Sequence, residues 1–109
     1  MRQWDIVWSE DAETDLDSIY AYISAKLLEP VIARNLTGRI KTAIQSLDQM
    51  PERFPLYHAE PWRSRGVRQM VAGNYIVLYR PMEEYDDVLI LRILYGRRDI
   101  DALLQEDDL

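Results

Sequence analysis

Residues 67–99 read VRQMVAGNYIVLYRPMEEYDDVLILRILYGRRD, and this stretch decides the fold. Two runs in it, 67–71 and 75–80, alternate and are rich in β-formers. A third, 88–95, is almost wholly apolar. Gly73-Asn74 separates the first two runs with residues able to take the positive φ of a tight hairpin turn. Residues 82–87 are polar and acidic and read as a second turn. Pro81 has no N–H to give to a ladder and is expected to end its strand. The stretch is therefore a three-stranded antiparallel meander. It exports arginines: Arg68, Arg80, Arg92 and the pair Arg97-Arg98 just past the last strand.

Working outward, residues 3–8 are short, β-rich and partly alternating, and read as a first strand. Ser9 follows as an N-cap, with Glu10 and Asp11 in the turn where the helix dipole favours anions. Ala12, Leu16, Ile19, Tyr20, Ile23 and Leu27 recur at spacings of three and four, one apolar face of a helix reaching about Lys26. Glu13, Asp15 and Asp17 are assigned to its solvated face. Glu29-Pro30 breaks this helix and starts another, since proline is tolerated in a first helical turn. Ala33, Leu36, Ile40, Ala43, Ile44 and Leu47 form the second stripe, and the helix is expected to end near Met50, before Pro51. So short a link makes the pair an antiparallel αα-hairpin.

Residues 51–66, PERFPLYHAEPWRSRG, hold three prolines and no period. They read as an ordered loop that Phe54, Leu56, Tyr57 and Trp62 pin to the core. After Asp99, residues 100–104 form a short helix, and the tail QEDDL is expected to fray. The fold class is α+β: β-α-α-β-β-β with a short C-terminal helix. The αα-hairpin packs on a four-stranded, mainly antiparallel sheet in which the first strand lies beside the last.

Length and composition bound the rest. The chain has 109 residues, which fits one domain spanning 1–109, and is 48% hydrophobic. No apolar run approaches the roughly 18 residues of a membrane span. No secretory signal is visible at the start, so a cytoplasmic protein is expected. Absence of cysteine excludes disulfides and thiolate chemistry, and a single histidine, His58, leaves no histidine metal site. Neither metal nor cofactor is expected. The net charge of −6 opposes bulk nucleic-acid binding. The charge is split, however: acids crowd both ends, whereas residues 61–80 contain four arginines and no acid.

Several pieces in order resemble one family. They are Trp8-Ser9 with Ala12, Asp15-Leu16, Ile19 and Tyr22-Ile23; Leu47 with Met50-Pro51; Arg68 with Gly73-Asn74-Tyr75 and Tyr79-Arg80; and Leu91-Arg92-Ile93-Leu94 running into Gly96-Arg97-Arg98-Asp99. Together they resemble the RelE/ParE superfamily of toxins from bacterial type II toxin–antitoxin modules, once called plasmid stabilisation proteins. The resemblance covers nearly the whole chain. It implies the fold derived above and a cognate antitoxin that wraps the toxin and represses the shared operon.

The superfamily has two activities. RelE-like members are metal-free mRNA interferases that cut mRNA on the ribosome, and ParE-like members are gyrase inhibitors that act by protein–protein contact. Metal-free RNA cleavage needs an activated 2′-OH, a stabilised phosphorane and a protonated leaving oxygen. In RelE-like members lysines and arginines on the central strands, plus a C-terminal tyrosine or histidine, supply these. The resemblance places that strand arginine at Ile76 and that tyrosine near Leu104, both inert. Lysine is confined to Lys26 and Lys41, both on the helices. Arg98 matches a RelE-like arginine, Arg68 is a shifted candidate for a phosphate ligand, and Tyr95 stands beside the arginine pair. The ParE-like branch is favoured, with DNA gyrase as partner. The alternatives are a ribosome-dependent endoribonuclease using Arg68, Arg98 and Tyr95, and a degenerate toxin that keeps only antitoxin binding.

On the favoured reading Arg80, Arg92, Arg97 and Arg98 are the target-binding candidates. Tyr20, Ile23, Leu36, Ile40 and Trp62 are the antitoxin-interface candidates, and an exposed sheet edge also allows a homodimer or a toxin–antitoxin hetero-oligomer. Each has a plainer role to compete with. Arg98 can pair with Asp99, Arg68 and Arg80 can bridge acids of the first helix, and Trp62 can anchor its own loop. Tyr75 and Tyr79 read as packing residues with hydroxyls at the rim. Arg92 interrupts an apolar strand, so it lies on an exposed face or is paired with an acid. His58 reads as an exposed loop residue.

Overall fold

A computed structural model describes residues 2–97 and 99–104. The elements run β1 (Asp5–Trp8), α1 (Glu10–Leu27), α2 (Pro30–Gln45), β2 (Arg68–Ala72), β3 (Tyr75–Met82), β4 (Asp87–Tyr95) and α3 (Ile100–Leu103). Short 3-10 turns at Ser46–Asp48, Pro51–Arg53 and Glu83–Tyr85 complete the set. The sheet order is β1-β4-β3-β2, with β1 parallel to β4 and the other pairs antiparallel.

The local chemistry explains the helical hairpin. Ser9 Oγ accepts the Ala12 N–H at 3.0 Å and caps α1, with Glu10, Asp11 and Glu13 in its first turn. Leu28 leaves the helix in the left-handed region, φ 54°, and Pro30 opens α2. Leu27, expected on the apolar face, is 47% exposed at the tip of this hairpin, because the sheet does not reach that far. The turn between β2 and β3 puts its positive φ on Gly73 alone, the pattern of a II′ rather than a I′ turn. Pro81 does not end β3 but pairs with Val88 inside it. β2 begins opposite Tyr79, so beyond that point one side of β3 has no neighbouring strand and a missing N–H costs nothing there.

Both faces of the sheet are buried. On one face Ala12, Leu16, Ile40, Ile44 and Leu47 of the helical layer meet Val77, Tyr79, Val88, Ile90 and Ile93. On the other, Tyr57 and Trp62 of the 51–66 loop and Leu104 after α3 cover Val67, Leu78, Leu91 and Leu94. This two-sided burial is why β4 is apolar at nearly every position, as in strands enclosed on both faces.

A β-bulge adjusts β4 between the layers. Leu78 pairs with Arg92 and Tyr79 with Ile90, leaving Leu91 as the extra residue. The insertion shifts the alternation by one, so Ile90 and Ile93 both face the helices while Leu91 and Leu94 both face the loop. The groups the bulge frees are taken up by α1. Ser9 Oγ donates to the Leu91 carbonyl at 3.0 Å, and the Ile93 N–H donates to Asp15 Oδ2 at 2.9 Å. Asp15 also accepts Arg92 Nε at 2.8 Å and Nη2 at 3.1 Å. Asp15 therefore does not belong to the solvated face of α1 with Glu13 and Asp17; it is the acid that pairs Arg92.

Candidate functional site

Among the described residues the candidate arginines do not converge. Arg68 lies opposite Tyr79, whereas Tyr95 lies opposite Tyr75, four positions further along β3 and so ~13 Å away at about 3.3 Å per residue. Arg68 Nη1 donates to the Phe54 carbonyl at 2.7 Å and to the Glu52 carbonyl at 3.2 Å, stapling the loop to β2 rather than an acid of α1. Arg92 is held by Asp15, and both side chains are mostly buried, 19% and 15% exposed. It is thus not offered to an external target. Arg80 and Arg97 are exposed, and neither side chain has a partner among the described residues. They sit far apart, Arg80 opposite Leu89 and Arg97 two residues beyond β4. Arg98 lies outside the described residues.

The two positions where a nuclease would place its strand arginine and C-terminal tyrosine are structural. Ile76 packs against the second core and Leu104 is buried in it, beneath the loop that Tyr57 and Trp62 anchor. Tyr95 meets Tyr75 edge to face, with ring centroids 5.6 Å apart. Burial first, then the neighbouring Tyr95 and Tyr22, pushes the Tyr75 hydroxyl above its usual value. Tyr79 is wholly buried, and its hydroxyl donates to the Pro51 carbonyl at 2.6 Å; burial pushes it up to about 12. The Tyr79 hydroxyl thus lies inside the core rather than at the rim, whereas Tyr75 lines the cleft between α2 and the β2–β3 hairpin.

His58 has a partner that sequence reasoning missed. Its Nε2 lies 3.0 Å from Asp101 Oδ2, while the Tyr57 hydroxyl donates to Asp101 Oδ1. The Tyr57 bond first, then His58, holds the Asp101 carboxyl below its usual range. Burial and that carboxylate keep Tyr57 well above the ordinary tyrosine value. The cluster ties α3 to the loop. The signal for it, an aspartate in the helix after the meander, is too common to single out from sequence.

The antitoxin-interface candidates divide. Ile40 is 2% exposed and Trp62 5% exposed, each inside one of the two cores, so neither side chain is offered at the surface. Tyr20, Ile23 and Leu36 are half-buried. Leu36 and the edge of Ile40 line a cleft of about 430 Å³ between α2 and the β2–β3 hairpin, with Arg39, Ala43, Val71 and Tyr75. Val71 and Arg39 were not singled out from sequence. The signal for Val71 was its position, outward-facing on a strand between Met70 and Ala72.

Among the described residues no cluster of three or more His, Cys, Asp or Glu side chains is arranged to hold a metal ion. No helix among them is long and apolar enough to cross a membrane.

Comparison with known proteins places this arrangement. No curated protein matches the chain in sequence. Its fold is similar to a chain of the chromosomal ParDE toxin–antitoxin system from P. aeruginosa, with a TM-score of 0.71 at 23% identity over 87% of this chain and 98% of that one. It is also similar to a chain of the RelBE2 toxin–antitoxin complex from Mycobacterium tuberculosis, with a TM-score of 0.61 at 22% identity over 87% of this chain and 93% of that one. The family model of the ParE toxin of the type II toxin–antitoxin system parDE matches residues 6–100. The fold expected from the meander and helical hairpin is the one these relatives share, and with 6–100 matched the chain belongs to the ParE toxin family of type II toxin–antitoxin systems.

Proposed function

We propose that this protein is a toxin that inhibits DNA gyrase by protein–protein contact and is neutralised by a cognate antitoxin. The observation that carries the reading is the packing of Leu104 in the second core and of Ile76 against it. A metal-free ribonuclease needs charged and proton-donating groups gathered around one phosphate. Here the matching positions are apolar, Leu104 buried in the second core and Ile76 half-buried against it, while Arg68 is committed to loop carbonyls and Tyr95 lies four positions away along β3. Arg80 and Arg97, exposed and separate, suit points on a broad protein contact rather than a catalytic pocket. Gyrase as target puts the site of action in the cytoplasm. The antitoxin partner is supported by the family, whose structural neighbours are solved as toxin–antitoxin systems.

The test is a supercoiling assay with purified gyrase beside an in vitro translation reaction probed for mRNA cuts. Loss of supercoiling with accumulated cleaved DNA and intact mRNA is the expected result. Codon-phased mRNA cuts would overturn it and make the protein an endoribonuclease. Silence in both assays with an antitoxin still bound would mark a degenerate toxin.

A further inference from the structure

The tip of the helical hairpin is apolar, exposed and strained. Residues 25–32, AKLLEPVI, are exposed at every position. Leu27 ends α1, Leu28 follows it, and Val31 and Ile32 lie in the first turn of α2, with exposures of 47%, 82%, 54% and 47%. Leu28 is the most exposed large apolar residue among those described. It also sits at φ 54° and ψ 32°, the left-handed region in which a helix commonly ends on glycine. A leucine there bears backbone strain and solvent exposure together, and a side chain so open gains no packing to offset either. Strain of this kind points to a contact outside the chain. By their exposures the four residues present on the order of 400 Å² in one patch, a size that marks interaction sites.

We infer that the hairpin tip is a two-fold interface on which a second copy of this chain docks. The inference rests on neither the gyrase nor the antitoxin reading. The charges of the tip are self-complementary. Lys26 and Glu29 flank Leu27-Leu28, so a two-fold axis through the tip sets Lys26 of one copy against Glu29 of the other. Lys26 Nζ donates to the Tyr22 hydroxyl at 3.2 Å and keeps further N–H donors, while the Glu29 side chain makes no cap bond. The net charge of −6 weighs little here. Glu10, Asp11 and Glu13 lie at the opposite end of α1, ~27 Å away and beyond the ~8 Å screening length. Two tips face to face cover roughly 900 Å² in total, and the stems of Lys26, Glu29 and Pro30 carry the contact past about 1,000 Å², the lower bound for a specific interface. The dimer is therefore a weak one, of micromolar affinity. The β2 edge offers less. Leu56 bridges Arg68 and the Gln69 N–H donates to the Pro55 carbonyl at 3.0 Å, which leaves only residues 70–72 open to an added strand.

The test is sedimentation velocity of the full chain alone, over a series from about 1 to 200 µM. The expected result is a mass that rises from one chain towards two. Leu28→Gly removes both the apolar side chain and the strain. It should raise the dissociation constant about tenfold or more, while the dilute chain melts no lower than the unaltered one. A leucine with only a structural role would lower the melt instead. Val31→Glu, also at an exposed position, should weaken the dimer to a similar degree. Lys26→Glu and Glu29→Lys should each stay monomeric further up the series, and mixing the two should restore a dimer, because every charge then faces its opposite. A chain that stays monomeric throughout overturns the inference. So does a dimer that all four variants leave unchanged, since its contact lies elsewhere. A monomer that loses gyrase inhibition or antitoxin binding on Leu28→Gly would give the tip to that protein, and overturns the inference as well.

Discussion

At the residue scale the pivotal side chain is Asp15. One carboxylate accepts the Ile93 N–H and both arms of Arg92, so it satisfies the bulge and neutralises the only charge within β4's interior. Asp15→Ala strands a mostly buried guanidinium and an amide together. A loss of roughly 2–4 kcal/mol is expected, or a fall in Tm on the order of 10–20 °C for a domain this size. Asp15→Asn keeps an acceptor and should lose about half as much. A Tm unchanged in Asp15→Ala would mean the pair is dispensable. The pairing was half legible. That Arg92 needed an acid followed from its place in an apolar strand. Asp15 was misassigned because its type suggested solvent, although it falls three residues after Ala12 and four before Ile19, within the apolar stripe.

At the element scale the 51–66 loop acts as the second cover of the sheet. Its start is fixed by the bond from Tyr79 to Pro51, its middle by the bond from Tyr57 to Asp101, and its later part by burial of Trp62. The anchors Tyr57 and Trp62 were legible as aromatics among prolines, which have no other means of burial. What the sequence concealed was the second face itself. An apolar run of eight residues is compatible with burial on one face or two, and a one-residue bulge inside it leaves no residue signature. The tyrosine anchors make the cover sensitive to alkali. Both hydroxyls have folded values above the unfolded ~10, so their contribution is complete below that pH and is lost as pH rises through the folded values. For Tyr79 that limit is about 12. Tyrosinate absorbance should therefore rise in two steps, the second when Tyr57 and Tyr79 ionise together with unfolding. Tyr79→Phe, which leaves the Pro51 carbonyl unpaired, should cost about 1–2 kcal/mol and bring the second step to lower pH. A single smooth rise with the fold intact would show that the hydroxyls do not hold the loop.

At the scale of the whole molecule, arginines that look clustered in sequence are dispersed by the meander. A hairpin reverses the chain, so neighbours in a list end on opposite faces or at opposite ends. Arg68, Arg80, Arg92 and Arg97 take four different surroundings, and only register and side-chain contacts, not composition, could reveal this. The dispersal gives the two modes of toxicity different arithmetic. Arg80 lies opposite Leu89, six positions or roughly 20 Å before the end of β4, and Arg97 follows two residues past that end, so the two are well beyond the distance at which side chains couple. On an extended contact with gyrase, Arg80→Ala and Arg97→Ala should each raise the toxin concentration for half-inhibition of supercoiling about three- to tenfold. The double variant should then show the product of the two factors, while surface substitutions leave stability within ~0.5 kcal/mol. Catalytic groups acting as one unit behave otherwise: the first loss removes nearly all activity and the second adds little. Multiplying factors with unchanged melts would support a contact surface at these two points. Saturation after one substitution would mean that the arginines act at a single centre, which their separation in the fold does not allow, and the gyrase-contact reading would fall.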